Sequence, residues 1–460
     1  MAVDTVIKNG KIVSPSSITS KGIAINKGKI VVITDAADLP QAKRTIDAQG
    51  NFILPGIIDV HIHTGLYLPL DEEIKDTYAA AFSGITTIGN YVGMRLSAQR
   101  DSYKLVFDKW RGIWERNSLA DVFFHGNIIS DTNIKEITIN ARRYGITSFK
   151  FMMINKGTEF IKKGLYPVDD GVVWLGFKEI SSLGYPARAV VHCENREIID
   201  RIEPLLKATG RQDTAVWAEA HPGFCETLDA EKAISLARLT GAPLYIVHIA
   251  SADTVDVVAR AKAEGVDVVG ETCPHYLTLT QFAPLGPLGK VNPPLRDEAS
   301  QERLWQGIRE GTISCLGSDH CSTTKELKKD MWQPIQGMPG LDVLLPVMLS
   351  EGVNKGRITL EKLVEVCCYN NARTFGIYPK KGVIQVGSDA DLVIVDLEKR
   401  VKLSAASSHY TFADYTPYEG WEVKGWPVLT MLRGNILVKD GKLLAKPGLG
   451  KYLPRSTNSG

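Results

Sequence analysis

The chain has 460 residues, of which 44% are hydrophobic and 23% are charged, as is usual for a soluble globular protein. This length is too great for one ordinary core, so we expect one large domain and a smaller one. The net charge is +2, from 54 basic and 52 acidic residues, and no basic cluster is interleaved with aromatic residues. This balance argues against nucleic acid and against an acidic membrane surface as partners.

The cysteine content and the apolar runs bear on the compartment. Seven cysteines in so long a chain, with Cys367 and Cys368 adjacent, do not form a disulfide framework and fit a reducing environment. The first residues, MAVDTVIKNGKIV, lack the pattern of a secretory signal. No apolar run approaches the roughly 20 residues that a membrane-spanning helix needs. We therefore expect a cytoplasmic protein.

In chain order, the sequence divides into four segments. Residues 1–52 read as short strands and turns, with a hairpin signal at Asn9-Gly10. Residues 53–375 alternate short apolar runs with helical stretches, for example 194–206, 252–263 and 302–310, which predicts a parallel sheet closed into an eight-stranded barrel. Strand patterns return over 376–445, and 446–460 read as an extended arm suited to subunit contact. The predicted fold is therefore α/β, a (β/α)8 TIM-like barrel with a small β-sandwich domain built from both chain ends.

Four apolar runs in the barrel segment end in residues that can bind a metal. FILPGIIDV ends at His61 and His63, ARAVV at His192, PLYIV at His248 and TISCLGSD at Asp319. The spacing of His61 and His63 places both imidazoles on one face of a strand, where they can bind one zinc ion. Since a barrel enzyme carries its chemistry at the C-terminal ends of its strands, this pattern indicates a metal-dependent hydrolase.

Each of these residues also has an ordinary structural interpretation. His192 and His248, taken singly, are typical of core or rim histidines, and Asp319 is typical of a helix cap or turn. Lys150 ends a fifth run, GITSFK, and taken alone is typical of a salt-bridge partner. The shared context of the runs favours a metal site, with Asp319 as metal ligand and general base.

These motifs together resemble the amidohydrolase superfamily, in particular its cyclic amide branch of hydantoinases and dihydropyrimidinases. The resemblance covers nearly the whole chain. It rests on ILPGIIDVHIH, GITSFKFMM, VVHCEN, IVHIAS, the region from VNPPLR to GSDHCS, GSDADLVIVDL and the tail GLGKYLPR.

The resemblance implies two divalent metal ions, usually zinc, with manganese or cobalt as alternatives. His61, His63 and Asp319 would hold one ion and His192 and His248 the other. A carbamylated Lys150 and a hydroxide would bridge the two ions, and Asp319 would shuttle the proton from the hydroxide to the leaving ring nitrogen. The reaction implied is the opening of a hydantoin or dihydropyrimidine ring to an N-carbamoyl amino acid. Relatives of this type usually form homotetramers.

Three positions are predicted to contact the substrate. Leu66 lies in a loop expected to form an apolar wall around the exocyclic substituent. Asn292 stands before two prolines where many hydantoinases have serine. Asn155 stands five residues after Lys150, where D-selective relatives carry a tyrosine that donates to the oxyanion. L-type hydantoinases also lack that tyrosine, so the substitution favours a non-D or relaxed stereochemical preference.

Other functions within the superfamily stay open on sequence alone. Dihydroorotases carry an arginine shortly after the His-X-His motif, but Thr64, Gly65 and Leu66 follow here, and the next arginine is Arg95. Allantoinases usually show SDHAP where this chain has SDHCS, which is closer to hydantoinases. An allantoinase or another cyclic ureide or imide hydrolase is the alternative function. A non-catalytic scaffold of the dihydropyrimidinase-related type is disfavoured, because all six ligand positions hold competent residues.

Overall fold

Seven short strands precede the barrel in the computed structural model, which describes residues 2–92, 102–156, 167–410 and 412–457. Arg95 and the end of the arm, residues 458–460, lie outside this described part. The seven strands are β1 (Val3–Lys8), β2 (Lys11–Val13), β3 (Ile18–Thr19), β4 (Gly22–Asn26), β5 (Lys29–Thr34), β6 (Ala42–Asp47) and β7 (Phe52–Pro55).

Eight parallel strands form the barrel and are hydrogen-bonded in chain order. They are β8 (Ile57–Ile62), β9 (Ile85–Val92), β10 (Asp121–Ile128), β11 (Ser148–Met152), β12 (Arg188–His192), β13 (Leu244–Ile246), β14 (Val268–Thr272) and β15 (Ile313–Leu316). The first and last strands meet where the His63 amide donates to the His320 carbonyl oxygen at 2.9 Å. Nearly every residue of the eight barrel strands is buried. Strands that are buried on both faces have continuous apolar runs, as this sequence does. The predicted barrel is confirmed.

Helices cover the outside of the barrel. The α-helices of the described residues are Leu70–Glu73, Thr77–Phe82, Tyr103–Asn117, Asp131–Ile139, Asp170–Ser181, Arg196–Lys207, Thr214–Ala220, Gly223–Thr240, Ala252–Ala263, Pro274–Thr278, Glu298–Glu310, Leu344–Val347, Leu360–Val364 and Asn370–Thr374. The helix predicted over 302–310 begins earlier, at Glu298, because the Asp297 carboxylate accepts a hydrogen bond from the Ser300 amide at 2.9 Å and caps it. No helix in the described ranges is both long and apolar enough to cross a membrane.

Both chain ends build the smaller domain, as predicted. The C-terminal strands are β16 (Leu392–Lys402), β17 (Glu422–Leu432), β18 (Asn435–Lys439) and β19 (Lys442–Leu443). One sheet has the order β5-β4-β1-β6, and the other has the order β19-β18-β17-β16-β7-β2-β3. Isoleucines such as Ile7, Ile23 and Ile53 pack against Leu392 and Met431 in a common core. The second sheet therefore joins strands from the two ends of the chain.

A buried cluster of charges ties the barrel to the smaller domain. The Lys381 ammonium contacts carboxylate oxygens of Asp121 at 2.6 Å, Asp391 at 2.5 Å and Asp389 at 3.0 Å. Three carboxylates this close could hold a metal ion, but the lysine nitrogen lies between them. Arg433 also pairs with Asp121 and Lys29 with Asp389, so three cationic side chains of the protein already compensate the three carboxylates.

Removing this lysine should destabilise the protein strongly. We expect Lys381→Met to lower the free energy of unfolding by about 3–5 kcal/mol, because it removes the buried cation that all three carboxylates share and leaves Asp391 without it. Lys43→Met removes the solvent-exposed pair with Asp4 and should cost less than about 1 kcal/mol. Urea unfolding followed by circular dichroism measures both, and equal midpoints for the two variants would contradict the prediction.

The C-terminal arm packs on its own barrel. The Leu453 amide donates to the Val122 carbonyl at 2.7 Å, and the Arg455 guanidinium, 1% exposed, donates to the Ser148 hydroxyl at 2.9 Å inside the barrel. Gly145 permits this close approach, since a Cβ at this position would lie 2.6 Å from the backbone nitrogen of Arg455. The described part of the arm thus covers the N-terminal end of the barrel. The subunit contact suggested by the sequence stays a prediction.

Candidate metal centre

The six predicted ligands meet at one end of the barrel. His61 lies in β8, Lys150 in β11 and His192 at the end of β12, while His248 and Asp319 lie just beyond β13 and β15. With His63 they are all buried. All of them except His61 line a cavity of about 70 Å³, whose lining is His63, Leu66, Tyr67, Lys150, Met152, His192, His248, Val291, Asn292, Asp319, Cys321, Gln336 and Gly337.

Three of the six form one compact donor set. The Asp319 Oδ1 lies 3.1 Å from the His61 Nε2 and 2.9 Å from the His63 Nε2, and the two imidazole nitrogens are 3.2 Å apart. Two imidazoles and a carboxylate at these distances provide the donors that a divalent ion such as zinc prefers. These residues therefore fit one metal ion.

The other histidines form a second, adjacent set. The His192 Nδ1 and the His248 Nε2 are 2.9 Å apart, and the ring centroids of His248 and His61 are 5.3 Å apart. The Lys150 Nζ lies 5.0 Å from the centroid of the Tyr91 ring, and both His61 and His63 contact the same ring. The two sets with Lys150 therefore make one continuous polar cluster.

Two buried glutamates orient these ligands, and the sequence analysis did not identify them. The Glu271 carboxylate lies 2.8 Å from the His61 Nδ1, which leaves the Nε2 facing Asp319. The Glu194 carboxylate lies 2.8 Å from the His192 Nε2 and 2.9 Å from the His221 Nδ1. Such carboxylate–histidine contacts fix ring orientation in metal sites. A sequence signal did exist, because Glu194 follows His192 by two residues in VVHCEN.

The backbone at two ligands is strained. His248 has φ +40° and Asp319 has φ +50°, in the left-handed region that residues with a side chain rarely adopt. Non-glycine residues in this region cost of order 1–3 kcal/mol and cluster at functional sites. The fold therefore holds both side chains in place against a local conformational preference.

Burial sets the protonation of the site. It lowers the pKa of Lys150 to about 8 and that of His63 to about 4, and it lowers the pKa of His248 well below its usual range. Burial opposes the charged form of Asp319 too, but His61 and His63 hold the pKa of this carboxyl well below its ordinary value. Burial opposes the charged form of His61 as well, but the carboxylates of Glu271 and Asp319 raise its pKa to about 9. Neutral imidazoles and an ionised carboxylate are the forms that ligate metals, so metal binding would release a proton from His61.

The predicted substrate contacts fall into two groups. Leu66 and Asn292 line the cavity, and the Asn292 Oδ1 accepts a hydrogen bond from the Trp217 indole at 3.0 Å. Asn155 is half-buried in the turn after β11 and is not among the lining residues. His320 accepts a hydrogen bond from the Gly340 amide through its Nδ1, in a supporting position. Tyr67 lines the cavity beside Leu66, in the loop expected to form its apolar wall, whereas Gln336 and Cys321 line it without having been predicted as contacts.

A barrel with histidine and carboxylate donors at the C-terminal ends of its strands defines a class of metal-binding barrel enzymes. A family model described as "Amidohydrolase family" matches residues 207–437. The L-hydantoinase of Paenarthrobacter aurescens is 36% identical over 98% of both chains, and the D-hydantoinase of Geobacillus stearothermophilus is 36% identical over 98% of this chain and 96% of its own. The solved L-hydantoinase (dihydropyrimidinase) from Arthrobacter aurescens superposes with a TM-score of 0.91 at 35% identity, covering 98% of this chain and all of that one. The chain belongs to the amidohydrolase family, in the group of the hydantoinases and dihydropyrimidinases.

Proposed function

We propose that the protein hydrolyses a ring amide bond of a hydantoin or a dihydropyrimidine and releases an N-carbamoyl amino acid. The observation that carries this proposal is that five of the six predicted ligands line one cavity, while the sixth, His61, lies against His63 and Asp319. High-coverage similarity to both L- and D-hydantoinases supports it. We further propose that the protein acts in the cytoplasm as a homotetramer. Seven free, buried cysteines fit a reducing compartment.

The donor set suits two divalent ions. We assign His61, His63 and Asp319 to one ion and His192 and His248 to the other. Zinc is our first choice, while manganese and cobalt accept the same ligands. Bound metal supplies Lewis acidity toward the ring carbonyl and lowers the pKa of water.

Lys150 is proposed to join the two ligand sets as a carbamate. Its pKa of about 8 leaves a substantial fraction of neutral amine, which is the form that reacts with carbon dioxide. The ammonium first loses a proton to give the neutral amine. The amine nitrogen then forms a bond to the carbon of CO₂ and loses a second proton, so that a cation is replaced by a carboxylate-like anion. Lys150 is buried and forms no ion pair with a carboxylate in the described part of the chain, so the change removes a buried ammonium that lacks such a partner there.

Asp319 is proposed to move the proton during hydrolysis. Its carboxylate faces the cavity and stays ionised at neutral pH, so it can accept a proton from the attacking water. The same oxygen then donates that proton to the ring nitrogen as the carbon–nitrogen bond breaks. Leu66 and Asn292 are the proposed substrate contacts. Asn155 is proposed to bear on stereochemical preference through the turn that follows Lys150.

Activity on a substrate panel tests the proposed function. Metal-loaded protein is assayed with both enantiomers of an arylalkyl hydantoin, dihydrouracil, allantoin and dihydroorotate. We expect ring opening of the hydantoins, sensitivity to chelators and no preference for the D form. Turnover of allantoin without turnover of hydantoins or dihydrouracil would contradict the choice of substrate.

The orienting glutamates should control metal affinity. We expect Glu271→Gln and Glu194→Gln each to weaken metal binding by about 10–100-fold, because the amide no longer fixes the ring of His61 or His192. Glu197→Gln, an exposed position on the helix after β12, is the control. Metal content after dialysis against a chelator series, measured by mass spectrometry, gives the result. Retention equal to that of the control would show that the contacts are dispensable.

A further inference from the structure

Two irregular segments form one wall of the cavity. Residues 286–292 contribute Val291 and Asn292, and residues 333–338 contribute Gln336 and Gly337. Among the described residues, one backbone hydrogen bond connects these segments, from the Gly337 amide to the Lys290 carbonyl at 3.1 Å. Regular strand pairing therefore does not hold this wall together, and its shape depends on other contacts.

Lys328 makes hydrogen bonds to both segments of the wall. Its side chain is fully buried, and its ammonium donates to the carbonyl oxygens of Leu288 at 2.9 Å, Lys290 at 2.8 Å and Gly337 at 2.6 Å. An ammonium has three donors, and these three carbonyls use all of them. Burial, and then the positive charge of Lys290, lower the pKa of Lys328 well below its usual range. One side chain thus joins both segments.

A second lysine reinforces the same junction. The Lys290 ammonium donates to the Gln333 carbonyl at 2.5 Å and lies 4.0 Å from the centroid of the Trp217 ring. The Trp217 indole in turn donates to the Val291 carbonyl at 3.1 Å. The wall has no room for a side chain at Gly337, which has φ +94° and where a Cβ would lie 2.5 Å from the Cys321 Cβ.

We propose that Lys328 is a positioning residue for the substrate: it holds segments 286–292 and 333–338 together so that Asn292 and Gln336 face the ring bound in the cavity. The inference rests on the proposed function. It assigns the recognition of the ring to a wall held together by a buried lysine, separately from the metal ligands. The hydrogen bonds that Lys328 makes within the described residues go to main-chain carbonyls of the wall, so its loss should affect substrate binding rather than the chemical step.

The test compares Lys328→Met with Lys329→Met in the metal-loaded enzyme. Lys329 is the next residue, its side chain is 62% exposed, and it pairs only with Glu326 among the described ion pairs. We expect Lys328→Met to raise KM about tenfold or more, with kcat within about threefold and metal content unchanged. Amide exchange in 286–292 and 333–338 should become faster. Lys329→Met should match the unaltered protein in every measurement.

Lys290→Met is the second variant, since it loosens the same junction while leaving the Lys328 contacts in place. It should raise KM severalfold, and it decides the question if Lys328→Met does not fold. An unchanged KM, or a fall in kcat that parallels a loss of metal, would overturn the inference while the proposed function stands. Absence of turnover by the unaltered, metal-loaded protein on the whole panel would overturn the proposed function and this inference together.

Discussion

Replacing Asp319 by asparagine is expected to lower kcat by about 10³–10⁴-fold, at the upper end of what general acid–base catalysis contributes. The amide retains the shape of the carboxylate and one oxygen that can ligate a metal. It cannot accept the proton of the attacking water. The strained backbone at φ +50° favours asparagine about as well as aspartate, so the local fold should persist. Steady-state kinetics on the best substrate of the panel, with metal content measured on the same sample, gives the result.

The control and the metal analysis separate two roles of Asp319. Asp253→Asn makes the same chemical change at an exposed position of helix Ala252–Ala263 and should leave kcat unchanged. If the loss of activity in Asp319→Asn follows the loss of bound metal in proportion, Asp319 acts as a ligand only. A variant that keeps both metals and full kcat would show that neither role is correct.

Replacing Lys150 by methionine is the change with the second largest expected effect. Methionine fills a similar volume in this buried position but cannot react with carbon dioxide. We expect metal content to fall and kcat to drop by at least about 10³-fold, because the bridging anion between the ligand sets is missing. Formate or acetate at high concentration should restore part of the activity, since a free carboxylate can occupy the space of the carbamate.

Mass spectrometry of the native protein checks the modification itself. The unaltered protein should carry the added mass of one CO₂, which acid treatment removes, whereas Lys150→Met should not. Lys178→Met, at an exposed helix position, should keep the added mass, the metals and the activity. Full activity of Lys150→Met without added carboxylate would contradict the assignment of a bridging carbamate.

The barrel and its ligand positions could be predicted because the signals are local in sequence. The runs that end at His61 and His192 are strands buried on both faces, and their polar ends are readable from a few residues. The contact between His61 and Glu271 spans 210 positions, and the contact between Ser148 and Arg455 spans 307. Nothing near Glu271 or Arg455 in the chain indicates such partners. The contact of Glu271 with His61 and the packing of Arg455 inside the barrel were therefore not predicted.

The wall of the cavity was also hard to predict, for a different reason. Leu66 and Asn292 were identified from motifs, whereas Gln336 and Tyr67 meet only through the fold, where the Tyr67 hydroxyl donates to the Gln336 carbonyl at 2.7 Å. Irregular loops carry no periodic pattern that fixes their conformation. Their shape here depends on a buried lysine and on backbone carbonyls, which a sequence motif does not record.

The pairing of β7 with β16 has a consequence during synthesis. Leu392 is the partner of Pro55 across these antiparallel strands, although roughly 340 residues separate them. At about 5–20 residues per second, a ribosome needs roughly 20–70 seconds after synthesising β7 to reach β16, the strand that pairs with it. Through that interval the nascent chain exposes an open apolar sheet edge that another nascent chain can join. We therefore expect the yield of folded protein to depend on translation rate and on chaperones that shield the first 55 residues.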